Sequence, residues 1–251
     1  MAIKTRKISD WLSANGQAVT NASKATMEDA IRADVDELYD GVFIMFYRKS
    51  DDYPLAARVR FWESYQNSGE IAEGVLLVEG GRHLVIAPTE ASAAKWSSKP
   101  VSSSDTSGSV QISGVTTTTD RITALNDFAG RANTTAIING STSSNVTNTE
   151  AYAAGFCNKY SRANANDKGL TAGKWWLPSV GEMAMIWANF DKINYALSKI
   201  SGATQLQVDA YWSSTQHSAY GGWRFNLYDG YIGNTSKFYQ RRVRPVSGFL
   251  N

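Results

Sequence analysis

A single cysteine, Cys157, stands in this chain of 251 residues. One cysteine forms no intrachain disulfide, and it supplies too few thiolates for a Cys₄ or Cys₂His₂ zinc site. The fold therefore depends on the packing of hydrophobic side chains, which make up 43% of the sequence and include eight Trp, twelve Tyr and nine Phe. At this length, the core is large enough for one large domain or for a domain with an appendage.

The apolar stretches are short. The longest of them, such as Val42–Tyr47 and Val75–Val78, fall far short of the roughly 20 residues that span a bilayer. We therefore expect no membrane insertion. The first residues, MAIKTRKISDWLSANGQ, carry positive charge but lack the apolar segment of a secretory signal, so that export would need another route.

Charge is balanced over the whole chain but not at its C-terminal end. The formal net charge is +2, which gives no case for a nucleic-acid partner. From residue 211 onward, five Lys and Arg residues stand against Asp229 alone. This segment is expected to prefer an acidic or hydrogen-bond-accepting partner.

The first 41 residues differ from the rest of the chain. Thr26 can cap a helix in which apolar residues share one stripe before Gly41 ends it. We expect a helical segment within residues 1–41. It either docks on its own domain or serves as an oligomerisation and attachment segment, and the pattern favours neither.

Residues 42–251 are predicted to form one domain of mixed strands and helices. The predicted elements are, in chain order, strands over 42–47 and 55–62, a hairpin over 74–87, a Ser/Thr-rich surface insertion over 92–119, helices over 149–160 and 179–190, and short strands from 211 onward. The order of strands, helices and strands is typical of the α+β class.

The sequence offers little for acid–base catalysis. His83 and His217 are the two histidines, and Cys157 lies on an apolar helical stripe, where cysteine usually behaves as a small hydrophobe. No GxSxG, P-loop, HExxH or EF-hand pattern occurs. We expect no catalytic residue, no cofactor and no metal. An enzyme that uses Glu182 and Asp209 is an alternative, although Glu182 fits better as the capping-box partner of Ser179.

A series of blocks resembles a bacterial and phage family built on the C-type-lectin-like fold. The blocks are, in order, HLVIAPTEAS, GRANTTAIING, AAGFCNKY, GKWWLPSVGEM, AYWSST, GGWRFNLYDG and RVRPVSGF. They extend from about Gly74 to Phe249. The resemblance implies an α+β, C-type-lectin-like fold with short antiparallel strands and two helices, plus the N-terminal helical segment outside the match.

Three branches of this fold can be weighed against the residues. Formylglycine-generating enzymes need paired active-site cysteines, and calcium-dependent lectins use EPN or WND triplets; this chain has neither. The chain more closely resembles a third branch, the variable proteins of diversity-generating retroelements. In these proteins, adenine-directed mutagenesis rewrites some codons of a C-terminal region while the residues between them stay fixed.

Residues 211–246 are similar to such a variable region. The resemblance assigns these scaffold positions: Trp176, Pro178, Tyr211, Trp212, Ser213, Ser214, Trp223, Phe225, Leu227, Gly230, Ile232, Val243, Arg244 and Pro245. It assigns these varied, ligand-binding positions: His217, Ser218, Ala219, Tyr220, Gly221, Gly222, Arg224, Tyr228, Asp229, Tyr231, Gly233, Asn234, Thr235, Ser236, Phe238, Tyr239, Arg241 and Arg242. Randomised AAY codons cannot encode Lys, Glu, Met or Trp, and none of the varied positions holds one of these four. Gln240 cannot come from such a codon.

The resemblance and the alternating pattern together predict a non-catalytic, calcium-independent adhesin. Trp223, Phe225 and Leu227 recur at two-residue spacing, so in a strand they face the core while Arg224 and Tyr228 face outward. The expected partner is a protein or glycan receptor on a bacterial cell. The expected assembly is a homotrimer on a phage tail or fibre tip, attached to other virion tail proteins through the N-terminal segment. A bacterial surface or pilus-tip adhesin of fixed specificity is the alternative.

Overall fold

The computed structural model describes residues 39–99, 105, 111–140 and 148–248. The helix predicted after Thr26 lies outside these residues. The strands are β1 (Gly41–Tyr47), β2 (Pro54–Arg58), β3 (Ala72–Glu79), β4 (Arg82–Ile86), β5 (Ala91–Lys95), β6 (Ala210–Gln216), β7 (Gly221–Asn226), β8 (Ile232–Ser236), β9 (Gln240–Val243) and β10 (Val246–Ser247). The α-helices are α1 (Trp62–Asn67), α2 (Arg121–Leu125), α3 (Gly130–Asn139), α4 (Ala153–Lys159), α5 (Val180–Ala188) and α6 (Phe190–Leu197).

The strands form two five-stranded sheets. Sheet I has the order β10-β4-β3-β1-β2, and sheet II has the order β5-β9-β6-β7-β8. Every pair in sheet I is antiparallel. In sheet II, β6 and β9 run parallel, while the other pairs are antiparallel. Mixed helices and mainly antiparallel sheets confirm the α+β class.

The hairpin predicted over 74–87 is confirmed as β3 and β4. Gly80 and Gly81 connect the two strands with φ angles of 55° and 76°, the left-handed region that glycine adopts without steric cost. The strand predicted over 55–62 is wrong beyond Arg58, because the chain turns into a 3₁₀ segment and α1. This turn buries Trp62 against Phe46, with ring centroids 5.5 Å apart.

The helices predicted over 149–160 and 179–190 are confirmed, with shorter bounds, as α4 and α5. Ser179 and Glu182 form the predicted capping box at the start of α5. The pattern missed the other helices, above all α3 and α6. Because α3 reads GRANTTAIIN, its Asn and Thr residues are poor helix formers, and the burial of Asn133, Thr134 and Ile137 stabilises it instead.

The surface insertion predicted over 92–119 is wrong for those of its described residues that are buried. Its start belongs to β5, the edge strand of sheet II, which pairs with β9. Trp96, Ile112 and Val115 are buried. Trp96 also donates its indole N–H to the carbonyl oxygen of Ser213 at 2.8 Å, so this segment packs against β6 and contributes to the core.

Sheet II carries buried residues on both faces. On one face, Tyr211 and Phe225 join the larger hydrophobic cluster, which also contains residues of sheet I, α5 and α6. On the other face, Trp212 joins a smaller cluster with residues of α3 and α4. Because neighbouring residues of a strand face opposite sides, Tyr211 and Trp212 attach the same strand to two clusters.

The chain passes between the two sheets twice, and a buried ion pair joins the crossings. One crossing runs from β4 to β5 over residues 87–90, and the other runs from β9 to β10 through Arg244 and Pro245. Arg244 is fully buried, and its Nη2 lies 2.8 Å from Oε2 of Glu90. Its two Nη groups also donate to the carbonyl oxygens of Ala87 and Thr204. The Arg244 guanidinium therefore stabilises both crossings at once.

Arg244→Met is expected to lower the free energy of unfolding by about 3–5 kcal/mol, because removing one partner leaves the buried Glu90 carboxylate with an incomplete shell. The control is Arg48→Met at the partly exposed pair with Asp51, for which we expect a change below about 1 kcal/mol. Urea denaturation of both variants measures the difference. Equal losses would show that the crossing does not depend on Arg244.

Candidate binding surface

The scaffold residues assigned from sequence are buried, apart from Gly230, and the alternation predicted from Trp223 to Tyr228 is confirmed. Trp223, Phe225 and Leu227 are each no more than 3% exposed, whereas Tyr228, which follows them, is 76% exposed. The other scaffold positions Trp176, Pro178, Trp212, Arg244 and Pro245 are also buried. Gly230 is half-buried at φ 72°, and a Cβ there would lie 2.6 Å from the Trp187 ring.

Three of the predicted ligand-binding positions are not on the surface. Gly221, Gly222 and Gly233 are buried. A Cβ on Gly222 would lie 3.0 Å from Cδ1 of Trp96, and one on Gly233 would lie 2.6 Å from Cε1 of Tyr231. The prediction is therefore wrong for the exposure of these positions. Aromatic rings cover Gly222 and Gly233, while His217 and Ser218 lie against Gly221.

The other predicted positions reach the surface to different degrees. The exposed ones are Tyr220, Tyr228, Asp229, Tyr231, Asn234 and Tyr239. The half-buried ones are His217, Ser218, Ala219, Arg224, Thr235, Ser236, Phe238, Arg241 and Arg242. They lie on β7, β8 and β9 and in the turns that connect β6 through β9. Sheet II and its turns thus carry exposed tyrosines and half-buried arginines.

The turn between β6 and β7 is built by short local contacts. The backbone N–H of Gly221 donates to Oγ of Ser218 at 3.1 Å. His217 packs edge-on against Trp223, with ring centroids 5.1 Å apart. Burial lowers the pKa of His217, which favours the neutral imidazole in a packing role.

Arg242 is committed to an ion-pair network. Its guanidinium bonds to Glu90 at 2.8 Å and to Asp209 at 3.0 Å. Glu90 also accepts the hydroxyl hydrogen of Tyr211 at 2.7 Å. Arg242 therefore ties the surface to the crossing between the two sheets, and Asp209, the predicted alternative catalytic carboxylate, is one of its two partners.

Lys237 is a buried residue of this region that the sequence analysis did not assign. It is 1% exposed, donates from Nζ to Oε1 of Gln216 at 2.7 Å, and lies 4.5 Å from the ring centroid of Trp96. Its backbone N–H donates to the carbonyl oxygen of Tyr220, and its own carbonyl accepts the N–H of Trp96. Burial lowers the pKa of Lys237 to about 7. No sequence pattern distinguishes this lysine from a solvated one.

A groove of about 650 Å³ lies away from these residues, between α3 and α5. Phe128, Arg131, Trp176 and Glu182 are among its lining residues. Burial raises the pKa of Glu182 to about 7, against the lowering effect of the backbone N–H of Ser179 and the Trp176 indole. The Glu182 carboxylate accepts the Ser179 N–H at 2.8 Å, as the capping box requires.

The remaining candidate reactive side chains, Cys157 and His83, lie outside the region between His217 and Arg242. Cys157 is buried, and burial raises the pKa of its thiol. His83 is half-buried at the start of β4. Among the described residues, no group of three or more His, Cys, Asp and Glu side chains could hold a metal ion. No helix in the described ranges combines the length and apolarity needed to cross a membrane.

Comparison with known proteins yields a distant likeness among the solved structures. No protein-family model matches the chain, and no curated protein matches its sequence. A solved fimbrial protein from Bacteroides ovatus ATCC 8483 is similar at 20% identity and a TM-score of 0.48. The match covers 66% of this chain but only 36% of that one. A similarity at this level transfers no function to this chain.

Trp223→Ala is expected to lower the free energy of unfolding by about 3–5 kcal/mol, because it removes a large core side chain. Tyr231→Ala, at a position 46% exposed, is expected to change it by less than about 1 kcal/mol. Chemical denaturation of both variants tests the division between scaffold and surface. Similar losses in the two variants would contradict that division.

Lys237→Met is expected to gain stability relative to the native chain as pH falls from about 10 to about 7. The pKa of Lys237 falls from 10.5 to about 7 on folding, so the folded chain binds fewer protons and loses stability over this interval. Urea denaturation across this pH range measures the difference. Lys192→Met, at an exposed lysine, is the control and should show no such trend. A difference that is constant with pH would rule out the shift.

Proposed function

We propose that this chain is a C-type-lectin-like variable protein that binds a receptor on a bacterial cell through the exposed residues between His217 and Arg242. The observation that carries the proposal is the division of sheet II. Its β7 strand directs Trp223 and Phe225 into the core, while Tyr220, Tyr228, Tyr231 and Tyr239 around it are exposed. Binding by such a surface requires no catalytic residue, cofactor or metal.

The residue types support a binding role. Tyrosine and arginine are over-represented among the residues that dominate interface energetics. A tyrosine also presents a large rigid area at a small cost in conformational entropy. Because the core-facing residues alternate with the exposed ones, exposed side chains can change while the packing of sheet II is retained.

The proposal includes diversification of this surface by a retroelement. The ordered WLPS, YWSS and VRPV blocks support it, together with the absence of Lys, Glu, Met and Trp from the assigned varied positions. Two of the buried glycines, Gly222 and Gly233, reduce the number of positions that can vary without rearrangement, because a Cβ at either one would lie 3.0 Å or less from a neighbouring ring. A homotrimer on a phage tail, with attachment through residues 1–41 to other tail proteins, completes the proposal and would add avidity. A pilus-tip or bacterial surface adhesin with a fixed surface is the alternative arrangement.

The proposal predicts that a Tyr228→Ala, Tyr231→Ala double variant loses binding to a bacterial strain that the native chain recognises. A loss of about 2 kcal/mol at a hot spot corresponds to roughly 30-fold weaker binding. Flow cytometry with the fluorescently labelled full chain, against a panel of strains, measures this loss.

The matched control is Tyr195→Ala, on α6, at an aromatic side chain that is 56% exposed. We expect it to retain native binding. If the double variant binds as the native chain does, or if Tyr195→Ala loses as much, the surface between His217 and Arg242 is not the binding surface.

A further inference from the structure

Two arginines from distant parts of the sequence meet at one exposed tyrosine. The Cζ atom of Arg121 lies 5.3 Å from the ring centroid of Tyr231, and that of Arg224 lies 5.5 Å from the same centroid. Arg121 is the first residue of α2, and Arg224 lies within β7. The cluster therefore exists only in the folded chain, and its first member lies outside the region that the sequence assigned.

Neither guanidinium has an ion-pair partner in the described part of the chain. Arg48, Arg242 and Arg244, by contrast, each pair with a carboxylate. Two acidic residues close in sequence to Arg121 and Tyr231 make local bonds instead. Asp120 accepts from the backbone N–H of Thr123 at 2.7 Å, and Asp229 accepts from that of Tyr231 at 2.9 Å.

The strand register explains why the Tyr231 ring lies beside Arg224. Arg224 pairs across the ladder with Gly233, and directly opposed residues project from the same face of a sheet. Since Gly233 has no side chain, the Tyr231 ring occupies the space beside it, where a Cβ on Gly233 would lie 2.6 Å from the ring. The Nε of Arg224 is buried without a hydrogen-bond partner among the described residues.

The Cζ atoms of both guanidinium groups lie within 5.5 Å of the centroid of the same ring. An anionic group beside that ring would be attracted by both positive charges, and a guanidinium fork matches the geometry of a carboxylate. The surroundings favour a protein as the source of that carboxylate. Ile122, next to Arg121, is 66% exposed, and Tyr228 is 76% exposed; apolar and aromatic contacts of this kind suit apolar side chains of a protein partner.

We propose that Arg121, Arg224 and Tyr231 form a site for a carboxylate on an acidic segment of a protein partner. This inference rests on the proposed function, because it names the chemistry that the same surface recognises. It assigns to Arg121 and α2 a direct part in binding.

The test uses fluorescein-labelled hexaglutamate as the probe, hexaglutamine as the neutral probe, and the full chain. Fluorescence anisotropy is measured at low salt and at about 0.15 M ionic strength, where the Debye length is about 8 Å. We expect hexaglutamate to bind at least tenfold more tightly than hexaglutamine at low salt. Arg121→Gln with Arg224→Gln is expected to remove at least tenfold of that affinity.

The matched control is Arg58→Gln with Arg60→Gln. These arginines also lie over aromatic rings, those of Tyr39 and Phe61, but near β2 of sheet I. We expect this variant to bind hexaglutamate within twofold of the native chain. Equal binding of the two peptides, or an equal loss in the control, would overturn the inference. Tighter binding of oligogalacturonate than of hexaglutamate would overturn the assignment to a protein.

Cell binding separates this inference from the proposed function. If Tyr228→Ala weakens binding to a recognised strain while the Arg121 and Arg224 double variant does not, the proposed function stands and the carboxylate site is refuted. If neither variant weakens it, both fail. A loss in both variants supports the two together.

Discussion

The buried contact between Glu90 and Arg244 is the interaction on which the two-sheet arrangement depends. The chain leaves sheet I for sheet II just before Glu90 and returns to sheet I just after Arg244. The two crossings are bonded to each other, because the backbone N–H of Ala87 also donates to the carbonyl oxygen of Pro245. Burying an ion pair gains stability only where further bonds satisfy both groups. Here Tyr211, Arg242 and two backbone carbonyls supply most of those bonds.

The bonds to Glu90 also stabilise the candidate binding surface, because Arg242 and Tyr211 belong to the sheet that displays it. Tyr211 lies in β6 and Arg242 in β9, and the two are paired in the parallel register. The contacts of Tyr211 and Arg242 with Glu90 therefore stabilise sheet II without involving its exposed tyrosines. Side chains such as Tyr228 and Tyr239 can then change without disturbing the crossing, which is the physical condition that a diversified surface requires.

Local sequence patterns predicted local structure well, but they could not predict contacts between residues that are distant in the sequence. The Gly80-Gly81 hairpin and the Ser179 capping box were predictable because their determinants are a few residues apart. The burial of Gly222 under Trp96 was not, since those residues meet only after β5 joins sheet II. The same holds for Lys237 and for Arg121, whose surroundings come from segments that the sequence separates widely. The resemblance supplied the division between scaffold and surface. The structure shows that three glycines assigned to the surface are buried and that Arg121, which was not assigned, lies beside Tyr231.

The central proposal is that sheet II combines a fixed core with exposed positions whose amino acids are diversified. The most direct measurement is to sequence this gene from many isolates of one lineage and to map the amino-acid changes onto the fold. The account predicts that changes concentrate at exposed and half-buried positions between His217 and Arg242, while Trp223, Phe225, Gly222 and Arg244 stay constant. Changes spread evenly along the chain, or none between His217 and Arg242, would contradict it and favour an adhesin of fixed specificity.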